Sequence, residues 1–259
     1  MIASGKGGVG KSVLTAALGT ALAEKQLPTA LLDADIGLRS LDMLLGLENK
    51  VVYDVLDVAR KDCKLRYALV QHYAYTNLSL LPAAQLGTAG DLNADMVLRL
   101  TRKLKKRFAY VLLDAPAGLE KGVKNLIPSV DETILVTTPD DLCMRDAERL
   151  IDMLREAGKP RPQLVVNRVM PDMVRAGDMY APQTVAATLD VPLLGFVPED
   201  DAVRRCVQQH VCLLDEKCQA ADAVRRIAAR LLGATVPMPE IPARKRWFGR
   251  AGKGGAITL

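Results

Sequence analysis

No apolar run in this chain approaches the roughly 20 residues that span a bilayer. No basic stretch ahead of an apolar core marks a secretory leader. The expectation is a cytoplasmic protein. Histidine is scarce: His72 and His210 are the only two, and they lie far apart. A histidine metal site or a Ser-His-Asp triad is therefore poorly supplied. The five cysteines (Cys63, Cys143, Cys206, Cys212 and Cys218) form no C-x-x-C pair. The last three recur every six residues, a spacing that suits neither zinc nor a redox motif. They read as free thiols, packed inside or half inside. Aromatic residues are few, with one tryptophan and three phenylalanines, and Trp247 and Phe248 stand side by side.

An excess of charge of one sign is also missing from the body of the chain. The formal net charge is +5, and Arg244, Lys245, Arg246, Arg250 and Lys253 carry all of it. Without those five, 30 basic residues face 30 acidic ones in positions 1–243, and no acid follows Glu240. That argues against a general basic face for nucleic acid and for a local, anion-seeking tail. Hydrophobic content of 49% and charged content of 25% over 259 residues suit one globular domain with ample core.

What is present in strength is the stretch Gly5-Lys6-Gly7-Gly8-Val9-Gly10-Lys11-Ser12. It satisfies G-x-x-x-x-G-K-[ST] at every required place. Glycines let backbone N–H groups turn inward, and the N-terminus of a following helix completes an anion site. Lys11 would reach the β- and γ-phosphates of ATP, and Ser12 would offer its hydroxyl to Mg2+. An Ala/Leu-rich helical pattern from Val13 to Glu24 follows, which a merely flexible glycine turn would not need. Only Met1, Ile2, Ala3 and Ser4 precede Gly5. A strand is usually about five or six residues long, so the expectation is a shortened first strand or a start that lies upstream.

The rest alternates strand and helix patterns. Residues 29–35 form a short apolar run ending in Asp33 and Asp35, and residues 78–85 read as another strand that ends in a turn. Helical spacing marks 51–59, and Asp91 is a plausible N-cap for a helix over 91–107 with a basic last turn. Residues 108–114 end in Asp114, the Walker B form, which would hold the Mg2+ hydration shell. Further strands are expected over 132–138, 163–168 and 193–200. Helices are expected over 140–157, with Leu142 on the apolar stripe, and over 220–233, stopped by Gly233. Such alternation gives an α/β P-loop NTPase fold, a mostly parallel sheet with helices on both faces. The ligand belongs at the carboxyl ends of the strands. Residues 1–236 read as one ATPase domain, and 237–259 as a proline-spaced linker and basic tail.

The loop, with its additional Lys6, resembles the deviant Walker A ATPases of the MinD/ParA family, which read K-G-G-x-G-K-[ST]. Residues 33–42 resemble the switch I stretch of its MinD members, departing at Ser40 where Asn is common. Residues 114–120 resemble their switch II stretch. The resemblance implies a homodimer closed on ATP, with Lys6 touching the partner's nucleotide. It implies that Asp35 orients the attacking water and that Asp33 supports Mg2+ from outside its ligand shell. Phosphate would be cradled by Gly5, Lys6, Gly7, Gly8, Val9, Gly10, Lys11, Ser12 and Val13. Asn167, Arg168 and Pro198 would flank the adenine. Helix capping by Asp33 and Asp35, and an Asx turn at Asn167, are the plainer alternatives. The tail residues Arg244, Lys245, Arg246, Trp247 and Phe248 resemble a glycine-broken version of the family's amphipathic membrane anchor. A basic tail with no lipid role is the alternative there. The implied activity is ATP hydrolysis for division-site selection on the inner face of the membrane. Its partners would be a MinC-like septum inhibitor and a MinE-like activator. The rival readings are a ParA-type partition ATPase, a MinD-like regulator of flagellar number and, from another class, an iron-protein electron-transfer ATPase that would need cysteines near 114–120.

Overall fold

The computed structural model describes residues 1–241. Eight strands form one sheet: β1 (Ile2–Ala3), β2 (Thr29–Asp33), β3 (Val70–Gln71), β4 (Leu78–Leu81), β5 (Tyr110–Asp114), β6 (Ile134–Thr137), β7 (Gln163–Val169) and β8 (Leu193–Pro198). Their order is β3-β4-β2-β5-β1-β6-β7-β8. All pairings are parallel except β3 with β4. The short β1 lies at the centre, between β5 and β6. The chain fills one half of the sheet first and then the other, so the crevice above β1 is where strand order reverses and where ligands settle.

Helix Lys11–Glu24 leaves that crevice and lies under the sheet. It is buried almost all round, so a run of small residues replaces the usual amphipathic stripe. A Cβ at Gly19 would come within 2.6 Å of Leu31, a measure of how close helix and sheet lie. One apolar layer packs this helix and Gln219–Leu231 against one face of the sheet; helices Ala94–Leu104, Asp141–Glu156 and Pro182–Leu189 cover the other. Among the described residues no helix is long and apolar enough to cross a membrane.

Several expectations shift. The N-cap of Ala94–Leu104 is Asn93, whose side chain accepts from Met96 N. Asp91 closes its own turn by accepting from Thr88 N at 2.7 Å instead. In Asp141–Glu156 the buried stripe is Cys143, Met144, Ala147, Leu150 and Leu154, whereas Leu142 faces solvent. Leu142 points about 100° round the helix from buried Cys143 and so falls off the stripe. The two-residue β3 went unread because it is too short to show a period.

The β8 edge is covered by the chain's own continuation. Arg230 donates to Leu194 O at 3.1 Å, to Val236 O at 2.9 Å and to Pro237 O at 2.7 Å. Gly195 leaves the room, since a Cβ there would lie 2.5 Å from Ile227 and 3.1 Å from the Arg230 guanidinium. Met238 and Ile241 then reach round to the opposite apolar layer. Hydrogen bonds to a charged group contribute about 1.5–3 kcal/mol each when well shielded, and these are half exposed. Arg230→Ala should therefore cost about 2 kcal/mol in denaturant midpoints and speed limited proteolysis within 234–241.

Candidate functional site

The glycine loop follows β1, and close neighbours require glycine at two of its positions. Gly5 passes so close to helix Asp141–Glu156 that a Cβ would lie 2.2 Å from the Asp146 carbonyl oxygen. Gly10 caps helix Lys11–Glu24 in the left-handed region, φ 91°, and a Cβ there would meet Asn167 Nδ2 at 2.2 Å. The loop is thus pressed between two neighbouring elements with its middle facing outward.

The two lysines of the loop have opposite environments. Lys6 is exposed. Lys11 is buried, its Nζ 3.3 Å from Asp114 Oδ1 and 3.5 Å from Ser12 Oγ. Thr15 Oγ1 donates to the same Asp114 oxygen at 2.8 Å. Asp114 Oδ2 is buried with no partner. An orphaned carboxylate oxygen beside the loop's Ser12 is a donor set that suits Mg2+, whose remaining ligands come from water and phosphate. Among the described residues no group of three or more His, Cys, Asp or Glu could hold a metal ion unaided.

Asp33 ends β2 opposite Asp114 in register, and both are fully buried. Asp33 Oδ1 accepts from Asp35 N at 3.0 Å and Oδ2 from Leu41 N at 3.2 Å. Burial, and secondarily the Asp114 charge, push its carboxyl up to about 7. Asp35 is half-buried. Its carboxyl is also raised, by burial first and with Lys11 opposing.

A cleft of about 660 Å3 opens over the loop. Of the expected residues, Lys6, Gly7, Gly8, Gly10, Lys11, Ser12, Val13, Asp35, Asn167, Arg168 and Pro198 line it. Gly5, Val9, Asp33 and Asp114 do not. Asn167 and Arg168 form an irregularity in β7, with Arg168 at φ 56°. Asn167 Nδ2 donates to Val9 O at 2.7 Å, so one amide hydrogen ties β7 to the loop. Arg244, Lys245, Arg246, Trp247 and Phe248 lie outside the described residues.

Sequence reasoning missed Asp200 and Val203. Asp200 accepts from Ala202 N at 2.9 Å and Ala220 N at 3.2 Å, so one side chain caps helix Asp201–Gln209 and holds the start of Gln219–Leu231. Both residues line the cleft. An Asp before a helical pattern was the available signal.

A family model described as ParA, NUBPL iron-transfer P-loop NTPase, matches residues 1–232. The septum site-determining protein MinD of Bacillus subtilis (strain 168) is 41% identical over 241 residues, covering 92% of this chain and 90% of that protein. The chain belongs to the MinD/ParA family of P-loop ATPases. Like other members of that family, it is an ATP hydrolase. A chain of the MinC:MinD cell division protein complex of Aquifex aeolicus matches with TM-score 0.84 and 37% identity, covering 92% of this chain and 97% of that one. MinD complexed with Mg-ADP from Pyrococcus horikoshii OT3 matches with TM-score 0.80 and 28% identity, over 91% and 98%. These matches bear out the α/β P-loop fold and the MinD/ParA family.

The raised Asp33 carboxyl has a sign. A group neutral in the folded state to about 7, and ionised above about 4 when unfolded, binds more protons folded than unfolded in that window. Its contribution to stability is full below about 4 and is lost as pH rises to about 7. The Asp33 carboxyl carbon should titrate near 7 by NMR in nucleotide-free protein. The stability of the wild type relative to Asp33→Asn should fall between pH 4 and 7.

Proposed function

We propose that this chain is the ATPase of a division-site selection system. It closes into a homodimer on ATP, rests on an anionic membrane surface as a dimer, and leaves when ATP is cleaved. The observation that carries the reading is the contrast within one loop. Lys11 is buried on Asp114, and Lys6 stands exposed at the cleft rim. A buried lysine serves the nucleotide of its own chain. An exposed lysine at the same rim suits the nucleotide of a second copy, as a cation added in trans.

The phosphates of ATP would sit against backbone N–H groups of residues 5–13. Lys11 can exchange its Asp114 partner for phosphate oxygens, since both offer the same charge. Ser12 and Asp114 would hold Mg2+, which supplies positive charge to the β- and γ-phosphate oxygens. Asp35 lines the cleft and has a carboxylate to orient a water for attack. Asn167 keeps a carbonyl oxygen and a second N–H for the adenine edge, with Arg168 and Pro198 beside it. The similarity to septum site-determining proteins, and to a chain of a MinC:MinD complex, supports a MinC-like inhibitor as partner and a MinE-like activator. On this reading the protein is cytoplasmic when monomeric and peripheral on the inner face of the membrane when dimeric. The basic tail supplies the lipid contact. Each tail binds weakly by itself, and two on one dimer gain about 10²-fold from effective concentration.

Lys11→Ala should lose ATP binding altogether by calorimetry. Asp35→Ala should bind ATP normally and lose turnover by at least about 10²-fold; normal turnover would remove Asp35 from the mechanism. With a non-cleavable ATP analogue, light scattering should show a dimer for the wild type and a monomer for Lys6→Ala. Liposomes containing anionic lipid should sediment the full chain with ATP, not with ADP and not after truncation at Ile241. Salt-sensitive binding to plain DNA without liposome binding would favour a partition ATPase.

A further inference from the structure

We infer that Asp33 is a positioning residue for hydrolysis: its two carboxylate oxygens staple both ends of the loop 34–41 and so set where Asp35 stands. This rests on the reading of Asp35 as the residue that orients water. Asp33 itself has no freedom. It ends a strand paired on both sides, and it is fully buried. The next residue is pinned too, with Ala34 N donating to Asp114 O at 3.1 Å. From that fixed point Oδ1 holds the Asp35 N–H, where the loop begins, and Oδ2 holds the Leu41 N–H, where it re-enters a helix.

Between the staples the loop has little else to hold it. Gly37 N donates to Ala84 O at 2.9 Å, and Leu38 N and Arg39 N turn back on Asp35 O at 3.2 and 3.3 Å. Arg39 pairs with Asp42 at 2.6 Å, beyond the second staple. Gly37 and Arg39 both stand in the left-handed region, at φ 95° and 44°. Leu38 at the tip is 72% exposed. The base of the loop is therefore tied to the buried strand end while the Leu38 side chain at its tip is exposed, and Asp35 belongs to the base. Asp33 does not line the cleft, so its reach toward the nucleotide runs through the loop.

Two N–H donors at the buried end of a strand need acceptors, and one carboxylate supplies both. Replacing it leaves at least one donor unsatisfied and lets the loop base drift. A misplacement of about 1 Å in a positioned group costs on the order of 10²-fold in rate. Substrate affinity should be spared, because phosphate and base contacts come from other segments.

The test combines exchange and kinetics on the full chain. In the wild type, amide hydrogens of Asp35 and Leu41 should exchange at least tenfold more slowly than that of Leu38. Equal exchange overturns the inference without any variant being made. In Asp33→Asn, which keeps the shape and one acceptor, exchange at Asp35 or Leu41 should rise at least tenfold. Its kcat should fall at least tenfold, with KM for ATP and half-saturation by Mg2+ within twofold of wild type. Asp33→Ala should extend both effects. Unchanged kcat overturns the inference. So does a tenfold rise in the Mg2+ requirement with loop exchange unchanged, which would assign Asp33 to the metal. Normal turnover in Asp35→Ala would instead sink the reading of Asp35 and leave the exchange result standing.

Discussion

The buried contact between Lys11 and Asp114 is the constraint around which the rest is arranged. It joins the first residue of the first helix to the last residue of β5, across the loop meant for phosphate. A buried ion pair gives little stability over an apolar pair, and losing one partner is costly. Its value here is placement. Thr15 braces the same Asp114 oxygen from one helical turn further on, so helix Lys11–Glu24 meets the sheet at one register. The unpartnered Asp114 Oδ2 and the raised Asp33 carboxyl beside it are consequences of the same crowding. Two acids end neighbouring strands in register, and buried Lys11 pairs with only one of them, Asp114.

From that point the two halves of the sheet bring different chemistry to one cleft. The β2 side supplies Asp35 and the stapled loop. The β7 and β8 side supplies Asn167, tied to Val9 O, and Asp200, which holds two helix starts together. The cleft is therefore lined by segments that each have a structural anchor close by. The side chains of Lys6 on one loop and Leu38 on another are exposed.

The β8 side also governs how the chain leaves the body. Arg230 binds three carbonyls and fastens residues 236–237 over the sheet edge. That covers an edge which would otherwise invite pairing with another strand. It also fixes the departure point of the tail relative to Pro198 and Asp200 at the cleft, since both are built on β8 and the helices that follow it.

Much of this was legible in the residues. The glycine loop, the strands ending at Asp33 and Asp114, and the strand–helix alternation follow from local chemistry: a left-handed cap needs glycine, and a buried parallel strand needs a continuous apolar run. Helix caps were less legible, because Asp91 and Asn93 both suit the role and only packing chose between them. The opposite environments of Lys6 and Lys11 could not be read from the sequence, since burial depends on what the sheet brings across from β5. Nor could the use of both Asp33 oxygens, which depends on where Leu41 returns after seven intervening residues. Local sequence determined which backbone shapes were available; which side chains share a buried space was decided only when distant strands paired.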